Sequence, residues 1–350
     1  MTSFQSLLDD FLAAHDDMPG VLLHVEAPAA GCSWTGAAGV VERGGRALKG
    51  DECFRVASIT KTFVAVAVLR LVDAGTVALD EPALPHVPEP AASMFRRAMT
   101  DATVITVRQL LQHTSGVYDF GNDVNYRRAI GADPTREWSA TDLIGIAFDH
   151  GRPYGPPGTA FHYSDTGYVL LALLLEQHTG LPLAAALRTT AGMEQLGLSH
   201  TWLEGKEPEP VAAPTRVHQY LGQADTFGFN PSFDGYGGGG LVSTGHDLAT
   251  YVRAVARGEL LSPESTSAML DFTAITDLGD IGQRCGLGIF HSTIDGIERI
   301  GHEGFWGTWM YHLPEHDITV AGAHTAVPFD MPAKQRLING AVRALTGGTR

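Results

Sequence analysis

The segment that most restricts the fold of this 350-residue chain is SITKTFVAVAVLRLVDAGTVALD, residues 58–80. Its apolar residues follow the helical period and cover nearly every face, so the helix that it predicts has to be buried in a core. Gly75 suits the left-handed conformation that ends many helices. Lys61 lies in the first turn of this helix without a solvent-facing stripe around it, and the pattern therefore favours a buried lysine.

Ser58 and Lys61 are separated by three positions, and every other lysine of the chain lacks a serine at that spacing. On a helix, residues i and i+3 share a face, so the hydroxyl and the amine can hydrogen-bond and the amine can take the hydroxyl proton. The N-terminal end of such a helix also offers free backbone N–H groups to a developing oxyanion. Ser-x-x-Lys alone is a weak signal, and an ordinary surface lysine on a stable helix is the alternative.

A second polar group, Tyr163-Ser164-Asp165, directly precedes the strongly apolar segment TGYVLLALLLEQHTG. One interpretation is a helix N-cap, in which Asp165 or Thr166 caps the helix and Tyr163 anchors the loop to the core. The other interpretation makes Tyr163 a phenolic proton relay whose pKa is lowered by a nearby lysine. The segment alone leaves both open.

A third polar group, His302-Glu303-Gly304, ends a predicted strand in RIGHEGFWGTWMYHLP. It is not the zinc motif HExxH, because position 306 is Trp, and we predict no metal site here. On an edge strand, Gly304 would let a substrate backbone approach closely, and the N–H of Phe305 would complete an oxyanion hole. A solvated His302 in a hairpin is the alternative.

Strand patterns occupy both ends of the chain, and helical patterns occupy its middle. GVLLHVEAP, CSWTGAAGVV and ECFRVAS alternate or run apolar near the N-terminus, and further strands follow a glycine run near the C-terminus. We therefore predict that residues 1–79 and 236–350 form one sheet-and-helix lobe and that residues 80–235 form a helical lobe inserted between them. Ser58 begins a helix beside this boundary, so the cleft between the lobes is the expected site.

Composition excludes several other classes of function. Hydrophobic residues make up 44% and charged residues 18% of the chain, as in soluble globular proteins. The formal net charge is −15 and no basic cluster of five or more residues occurs, so nucleic acid is not an expected partner. The N-terminal segment is acidic, unlike a secretory signal, and no run reaches the roughly 18 apolar residues of a membrane span, which predicts a cytoplasmic protein with no membrane partner. Scattered Cys32, Cys53 and Cys285 indicate buried thiols.

Taken together and in this order, the motifs resemble the penicillin-recognising serine hydrolases, which include class C beta-lactamases, DD-peptidases and related esterases. The resemblance rests on FRVASITKTF, LLQHTSGVYDF, PPGTAFHYSDTGYVLLALLLEQHTG, GYGGGGLVSTGHDLATYV, CGLGIF and GHEGFWGTWMYHLPEHDITVAGAHT, which span most of residues 52–325. It implies an α/β fold of the α+β type that is beta-lactamase/transpeptidase-like, with an antiparallel sheet flanked by helices and an inserted helical lobe. It implies no cofactor.

Carried over residue by residue, the resemblance implies a role for each matching position. Ser58 would be the acylated nucleophile and Lys61 its activating base. Tyr163, the first residue of the family's Tyr-x-Asn element, would share protons with Lys61 and protonate the leaving group. The backbone N–H groups of Ser58 and Phe305 would hold the oxyanion, and residues 302–304 would line the acyl pocket, as the family's Lys-Thr-Gly or His-x-Gly strand does.

Three positions depart from the family pattern. Asp165 stands where the family usually has Asn, and an ionised carboxylate can only accept hydrogen bonds. Beside Lys61 it would raise the lysine pKa; it could also accept from a substrate amine, or turn away as a helix cap. His302 replaces a lysine, and Glu303 occupies the place of a small hydroxyl residue that often binds a substrate carboxylate. Glu303 would disfavour such substrates if it faced the cleft rather than water.

The expected function is a serine hydrolase that forms an acyl-enzyme on Ser58 and acts on a small neutral or amine-bearing ester or amide, as an esterase, an amidase or a D-aminopeptidase-like enzyme. The same acyl-enzyme would serve an acyltransferase that passes the acyl group to an amine or alcohol. A DD-carboxypeptidase or beta-lactamase also fits these motifs, and so does a ligand-binding or sensor protein of low activity. The expected partners are a small-molecule ester or amide and, for an acyltransferase, an amine acyl acceptor.

Overall fold

The computed structural model describes residues 3–99, 101–273, 283–329 and 331–347, and helices occur in each of these ranges except 283–329. A short 3₁₀ turn, Ala57–Ile59, directly precedes the most buried of the early helices. The helices are α1 Phe4–Ala13, α2 Thr60–Asp73, α3 Ala91–Ala98, α4 Val107–Leu111, α5 Val124–Ala132, α6 Ala140–His150, α7 Asp165–Thr179, α8 Leu183–Thr190, α9 Gly245–Ala256, α10 Pro263–Met269 and α11 Met331–Thr346.

Most strand residues belong to one large sheet, in which the order is β2-β1-β12-β11-β10-β9-β8 and every neighbouring pair is antiparallel. Two small sheets, β13-β5-β6 and β3-β7-β4, accompany it. The strands are β1 Gly20–Ala27, β2 Cys32–Gly39, β3 Phe54–Arg55, β4 Trp202–Leu203, β5 Tyr220–Leu221, β6 Ala224–Asp225, β7 Leu241–Ser243, β8 Gln283–Cys285, β9 Phe290–Ile294, β10 Ile297–Gly304, β11 Thr308–Leu313, β12 Ile318–His324 and β13 Ala326–Val327.

The two ends of the chain meet in the large sheet. β1 pairs with β12, from Val21 opposite His324 to Glu26 opposite Thr319. Because successive side chains of a strand point to opposite faces, the sheet has two apolar faces that pack in different places. One face packs against α1 and α11, and the other packs against the core that contains α2, α7 and α9. The expected joining of both chain ends in one sheet is therefore present, whereas the boundaries of the two lobes stay a prediction.

Helix α2 lies inside the larger core, as its apolar residues predict. Its residues from Thr60 to Leu69 are all buried, including Lys61. The helix ends at Asp73, and Gly75 then adopts a φ of 70°, the left-handed conformation that the sequence suggested for this position. The strand predicted just before α2 is shorter than expected, because only Phe54 and Arg55 pair with a neighbouring strand.

Among the described residues, no single helix is both long enough and apolar enough to cross a membrane, and α7 with α8 meets that test only as a pair bent by 80°.

Candidate active site

A tight turn joins β3 to α2 and presents Ser58. β3 pairs with β7, which holds the chain in place up to Arg55. Ala57 then adopts a φ of 48°, a left-handed conformation that is uncommon for a residue with a side chain. The 3₁₀ turn at this point runs directly into α2, so Ser58 lies at the N-terminal end of a buried helix and lines the main cleft.

Lys61 is fully buried, and three acceptors surround its ammonium group. Nζ donates to Ser58 Oγ at 3.0 Å and to the carbonyl oxygen of Gly238 at 2.5 Å. Nζ also lies 2.5 Å from Asp165 Oδ1. The first two contacts are hydrogen bonds, and the contact with Asp165 is an ion pair. The structure thus brings Ser58 and Lys61 together as the spacing predicted, and the surface-lysine alternative is wrong.

The charges around Lys61 favour its protonated form. Burial alone would lower the pKa of Lys61, but the carboxylate of Asp165 and the phenol of Tyr163 oppose this effect and raise the pKa above that of an ordinary lysine. Lys61 therefore holds a proton in the free site and donates a hydrogen bond to Ser58. Neutralising the charge of Asp165 would lower the pKa of Lys61 and increase the fraction of the neutral amine, the form that can accept a proton.

Tyr163 lies beside both Ser58 and Lys61. Its ring stacks on the ring of His113 with 4.2 Å between centroids, and Lys61 Nζ is 4.9 Å from the Tyr163 centroid. Burial raises the pKa of Tyr163 to about 12, although Lys61 and the Ser58 hydroxyl act to lower it, so the lowered pKa that the sequence suggested for a relay tyrosine is wrong. His113 Nδ1 accepts from the backbone N–H of Ser164 at 3.1 Å, which holds the ring against which Tyr163 packs. This arrangement suits a proton relay between Ser58 and Lys61.

Asp165 is the first residue of α7, but it does not cap that helix. Ser164 is the N-cap, and its side chain accepts from the N–H of Gly167. The expectation that Asp165 or Thr166 caps the helix is therefore wrong. Because Ser164 takes this place, the carboxylate of Asp165 remains available to Lys61.

Two further carboxylates lie near Asp165 and were not among the candidates from the sequence. Asp119 is 2% exposed, and its Oδ1 accepts from the N–H of Asp165 at 3.0 Å. Burial and the charge of Asp165 raise the pKa of Asp119 to about 7, and the same two causes raise the pKa of Asp234 to about 7. Both residues line the cleft. Three carboxylates therefore lie close to the single ammonium of Lys61.

Gly238 is also a site residue that the sequence did not single out. It belongs to the glycine run of residues 237–240, and its carbonyl oxygen accepts from Lys61 Nζ. A Cβ at Gly238 would lie only 3.3 Å from the Cβ of Asp165, so glycine lets the two segments approach closely. The glycine run was the available signal, because such runs mark positions where backbones come close together.

The end of β10 lies against the turn that carries Ser58. Thr308 Oγ1 donates to the carbonyl oxygen of Val56 at 3.0 Å, and a side chain at Gly304 would collide with the same carbonyl. Within the described chain, neither the N–H of Ser58 nor the N–H of Phe305 donates to another backbone group. Both residues line the cleft, so two N–H groups are available there for an oxyanion.

β10 is not an edge strand along its whole length, contrary to the prediction. β9 pairs with it from Ile297 to Gly301, and β11 pairs with it on the other side. The last pair with β9 is Gly301 opposite Phe290, so residues 302–304 continue beyond β9. On the β9 side, this end of β10 therefore has a free edge, and residues 302–304 line the cleft.

His302 is buried, with 4% of its surface exposed, so the solvated alternative is wrong. Its Nδ1 donates to the carbonyl oxygen of Glu303 at 2.6 Å. Burial and the charge of Lys61 lower the pKa of His302 to about 3. His302 is therefore a neutral part of the cleft lining, and it adds no positive charge near Lys61.

Glu303 is not free, and its carboxylate is directed toward α11. Lys334 Nζ lies 2.5 Å from Glu303 Oε2, and the hydroxyl of Tyr311 donates to Oε1. The sequence suggested a side chain that faces either the substrate or water, and the structure shows a third arrangement. Glu303 lines the cleft, but both of its oxygens have partners.

The cleft around Ser58 is large and has two chemically different kinds of wall. Its volume is about 860 Å³, which lies within the usual range for small-molecule sites. The carboxylates described above contribute charge. Arg127, Asn122, Gln283 and Ser292 add a cation and polar groups. Apolar and aromatic side chains form much of the remaining lining and include Phe120, Ile130, Phe161, Leu221, Phe229, Phe233, Phe290, Phe305, Trp306 and Phe329.

Metal and thiol chemistry are not indicated at this site. In residues 3–99, 101–273, 283–329 and 331–347, no group of three or more His, Cys, Asp or Glu side chains is arranged to hold a metal ion. Cys53 and Cys285 are buried and Cys32 is half-buried, all as free thiols. Burial raises the pKa of each thiol, which makes it a poorer nucleophile.

Comparison with known proteins agrees with this geometry. The model of the Beta-lactamase family matches residues 8–343. A solved structure of a D-stereospecific amidohydrolase from Streptomyces sp. superposes with a TM-score of 0.84 at 27% identity and covers 100% of both chains. D-amino acid amidase from Ochrobactrum anthropi SV3 superposes with a TM-score of 0.80 at 26% identity and covers 99% of this chain and 100% of the amidase.

Two curated proteins show a similarity that covers part of each chain. The esterase EstB of Burkholderia gladioli is 33% identical over 204 residues, which are 51% of this chain and 45% of the esterase. Penicillin-binding protein 4 of Amycolatopsis lactamdurans is 31% identical over 192 residues, which are 50% of this chain and 47% of that protein. The chain thus spans about half the length of these relatives. The structural similarities confirm the expected beta-lactamase/transpeptidase-like fold.

Proposed function

This chain belongs to the beta-lactamase family, since the family model matches residues 8–343, and we propose that it is a serine hydrolase that forms an acyl-enzyme on Ser58. The observation that carries the proposal is the hydrogen bond of 3.0 Å between Lys61 Nζ and Ser58 Oγ, made by a fully buried lysine. A buried ammonium is costly to maintain, and a chain that only bound ligands would have no need of it beside a cleft serine.

The first step is attack by Ser58 Oγ on the carbonyl carbon of an ester or amide. The pair formed by Lys61 and Tyr163 takes the hydroxyl proton, while the C–O bond to Ser58 forms and the carbonyl electrons move to the oxygen. The N–H groups of Ser58 and Phe305 then hold this oxyanion. Because Lys61 is protonated in the free site, the pair has to lose one proton before it can accept another.

In the steps that follow, Lys61 and Tyr163 give back the proton that they took from Ser58. The tetrahedral intermediate collapses, the bond to the leaving amine or alcohol breaks, and Tyr163 gives that group its proton. Water then attacks the acyl carbon and loses a proton to the same pair. The bond between that carbon and Ser58 Oγ breaks, Oγ takes the proton from the pair, and the acid leaves. Each proton that leaves Ser58 or water is returned to the leaving group or to Ser58, so the cycle closes without a cofactor.

The proposed substrates carry an amine and an apolar side chain. Asp119, Asp165 and Asp234 line the cleft or its floor around one ammonium, so a second cation would meet a favourable field. An ammonium that paired with Asp165 would also lower the pKa of Lys61, so that more of this lysine would be neutral and able to accept a proton near pH 7. The aromatic part of the lining would hold an apolar group. Two structural relatives are named as a D-stereospecific amidohydrolase and a D-amino acid amidase, which agrees with such substrates.

A panel of matched substrates tests this proposal. We expect the amides and methyl esters of D- and L-phenylalanine with a free amine to show kcat/KM values at least about tenfold above those of their N-acetyl and N-succinyl counterparts, a difference of about 1.4 kcal/mol. Products are measured by mass spectrometry for the purified chain. The substrate proposal is wrong if N-acetylation leaves the rate unchanged or raises it.

Asp165→Asn is expected to make the site more active on neutral esters near pH 7. Asp165 raises the pKa of both Lys61 and Tyr163, so its removal lowers both values and more of the base form exists at a given pH. The rising limb of the pH profile of kcat/KM should therefore move to lower pH. The advantage of amine-bearing substrates over neutral ones should shrink in the same variant.

The matched control for this variant is Asp80→Asn, which removes an exposed carboxylate that pairs with Arg108 and does not line the cleft. Its pH profile should coincide with that of the unmodified chain. If the rising limb of the pH profile of kcat/KM stays in place in Asp165→Asn, or moves to higher pH, Asp165 does not raise the pKa of the catalytic base.

Two other functions remain linked to the same acyl-enzyme. The cleft volume of about 860 Å³ leaves room for a second small molecule, which favours acyl transfer to an amine as the second candidate. The same mass spectra detect acyl transfer when amines are added to the panel.

A lactam in the panel tests beta-lactamase activity, which the paired state of Glu303 does not oppose. A cytoplasmic location stays a prediction.

A further inference from the structure

Alternate residues of β10 serve opposite faces of the large sheet. Ile300 belongs to the core that contains α2, and His302 on the same face lines the Ser58 cleft. On the other face, the guanidinium of Arg299 donates to Gln335 Oε1 at 2.7 Å and to Asn339 Oδ1 at 2.9 Å, both on α11. Strand alternation directs Glu303 to the same face as Arg299. Glu303, the residue that follows His302, therefore lies on the face of the sheet that contacts α11.

Lys334 of α11 is the cation that meets Glu303. Its Nζ lies 2.5 Å from Glu303 Oε2, and the lysine side chain is 1% exposed while that of Glu303 is 26% exposed. Tyr311 occupies the other carboxylate oxygen with its hydroxyl. Nζ also lies 5.3 Å from the centre of the Phe329 ring. The carboxylate is therefore held from two sides, and the lysine itself has almost no contact with solvent.

This ion pair is part of the wall of the cleft. Glu303, Tyr311 and Phe329 line the same cavity as Ser58, although Lys334 lies behind them. A substrate in the cleft therefore meets a carboxylate whose charge is already compensated. Without Lys334, the Glu303 carboxylate would lose its ion-pair partner and keep the interaction with Arg299, so the wall next to Gly304 would become more negative.

We propose that Lys334 is a specificity-determining positioning residue, which neutralises and holds Glu303 and so sets the charge that a substrate meets beside Gly304. The inference rests on the proposed hydrolase function and adds to it a role for a residue of the last helix. Lys334 does not touch the reacting atoms. It acts through Glu303, and its effect depends on the charge of the substrate rather than on the chemistry of the bond that is cleaved.

The size of the effect follows from Coulomb's law. A unit charge about 8 Å from a charged substrate group, at an effective dielectric constant of about 40, changes relative rates by about fivefold. Lys334→Met keeps the length of the side chain, removes its charge and leaves Glu303 without its cation, a loss that water can partly offset because the Glu303 side chain is 26% exposed. The remaining Glu303 carboxylate stays partly exposed and keeps its hydrogen bond from Tyr311.

The test compares three p-nitrophenyl esters of equal length that end in a carboxylate, a neutral amide or an ammonium. In Lys334→Met, the kcat/KM ratio of the carboxylate ester to the neutral ester should fall about fivefold, and the ratio of the ammonium ester to the neutral ester should rise. The double variant Glu303→Gln with Lys334→Met removes both charges, and its ratios should return to within about twofold of those of the unmodified chain. Melting temperatures are recorded for each variant.

Lys49→Met is the matched control, because it removes the same charge from an exposed lysine that does not line the cleft. Equal changes for all three esters in Lys334→Met would show a purely structural role and overturn the inference. Ratios that stay shifted in the double variant would overturn it as well. If the unmodified chain and Ser58→Ala hydrolyse all three esters equally slowly, the proposed hydrolase function itself is wrong, and the inference is overturned with it.

Discussion

Ser58→Ala is expected to abolish covalent labelling by a fluorophosphonate and to lower ester hydrolysis by at least about 10⁴-fold. The alanine variant lacks the only atom of residue 58 that can form the acyl bond. The substitution fills the same space at the start of α2, and Lys61 keeps Gly238 and Asp165 as partners. Labelling is measured by intact mass and located by peptide mapping.

Ser292→Ala is the matched control for this experiment. Ser292 is another buried serine of the same cleft, on β9, and it has no lysine at hydrogen-bonding distance in the described chain. The Ser292→Ala variant should be labelled at Ser58 and should turn over substrate like the unmodified chain. Labelling of any residue other than Ser58, or the persistence of labelling in Ser58→Ala, would refute the assignment of the nucleophile.

The parts of the site that the sequence predicted are those that depend on local pattern. A spacing of three residues, from the 3₁₀ turn into the first turn of α2, brings Ser58 and Lys61 together, and the apolar residues around Lys61 require its burial. The strand character of residues 297–304 followed in the same way from alternation. Backbone geometry within one element acts over a few residues, so it can be read from a few letters of sequence.

The parts that the sequence did not predict depend on contacts between distant segments. Asp119 and Asp165 are 46 residues apart and are linked through a backbone N–H. Gly238 lies 177 residues after Lys61, and its carbonyl oxygen accepts from that lysine. Nothing in the local pattern of these segments indicates which side chains will share a partner. The partner of Glu303 is on α11, which no property of the strand itself could show.

One consequence concerns the charge balance of the site as a whole. The sequence suggested that Asp165 and Glu303 both add negative charge to the cleft. The structure assigns them different surroundings, because Asp165 pairs with Lys61 and Glu303 pairs with Lys334. The acidity that the proposed amine-bearing substrate would meet therefore comes from Asp119 and Asp234 together with Asp165, and each of the first two has a pKa of about 7. Substrate preference should thus be sensitive to pH around neutrality.

Lys61→Met is expected to lower the rate of acylation by at least about 100-fold, which is the usual contribution of a proton-transfer group. The methionine side chain fits the space of the buried lysine, but it cannot accept the Ser58 proton. Tyr163→Phe should have an effect of similar size, because it removes the relay oxygen and keeps the ring stacked on His113. Rates are measured by the pre-steady-state release of p-nitrophenol.

A double variant separates proton transfer from charge balance. In Lys61→Met alone, Asp165 loses its cation and remains as an uncompensated carboxylate, and this charge by itself would slow the formation of an oxyanion. Lys61→Met combined with Asp165→Asn removes both charges. If Lys61 acts as a base, the double variant stays at least about 100-fold slow, whereas recovery to near the original rate would show that Lys61 only balances Asp165. Lys206→Met, the loss of an exposed lysine outside the cleft lining, should leave acylation unchanged and so exclude a general effect of net charge.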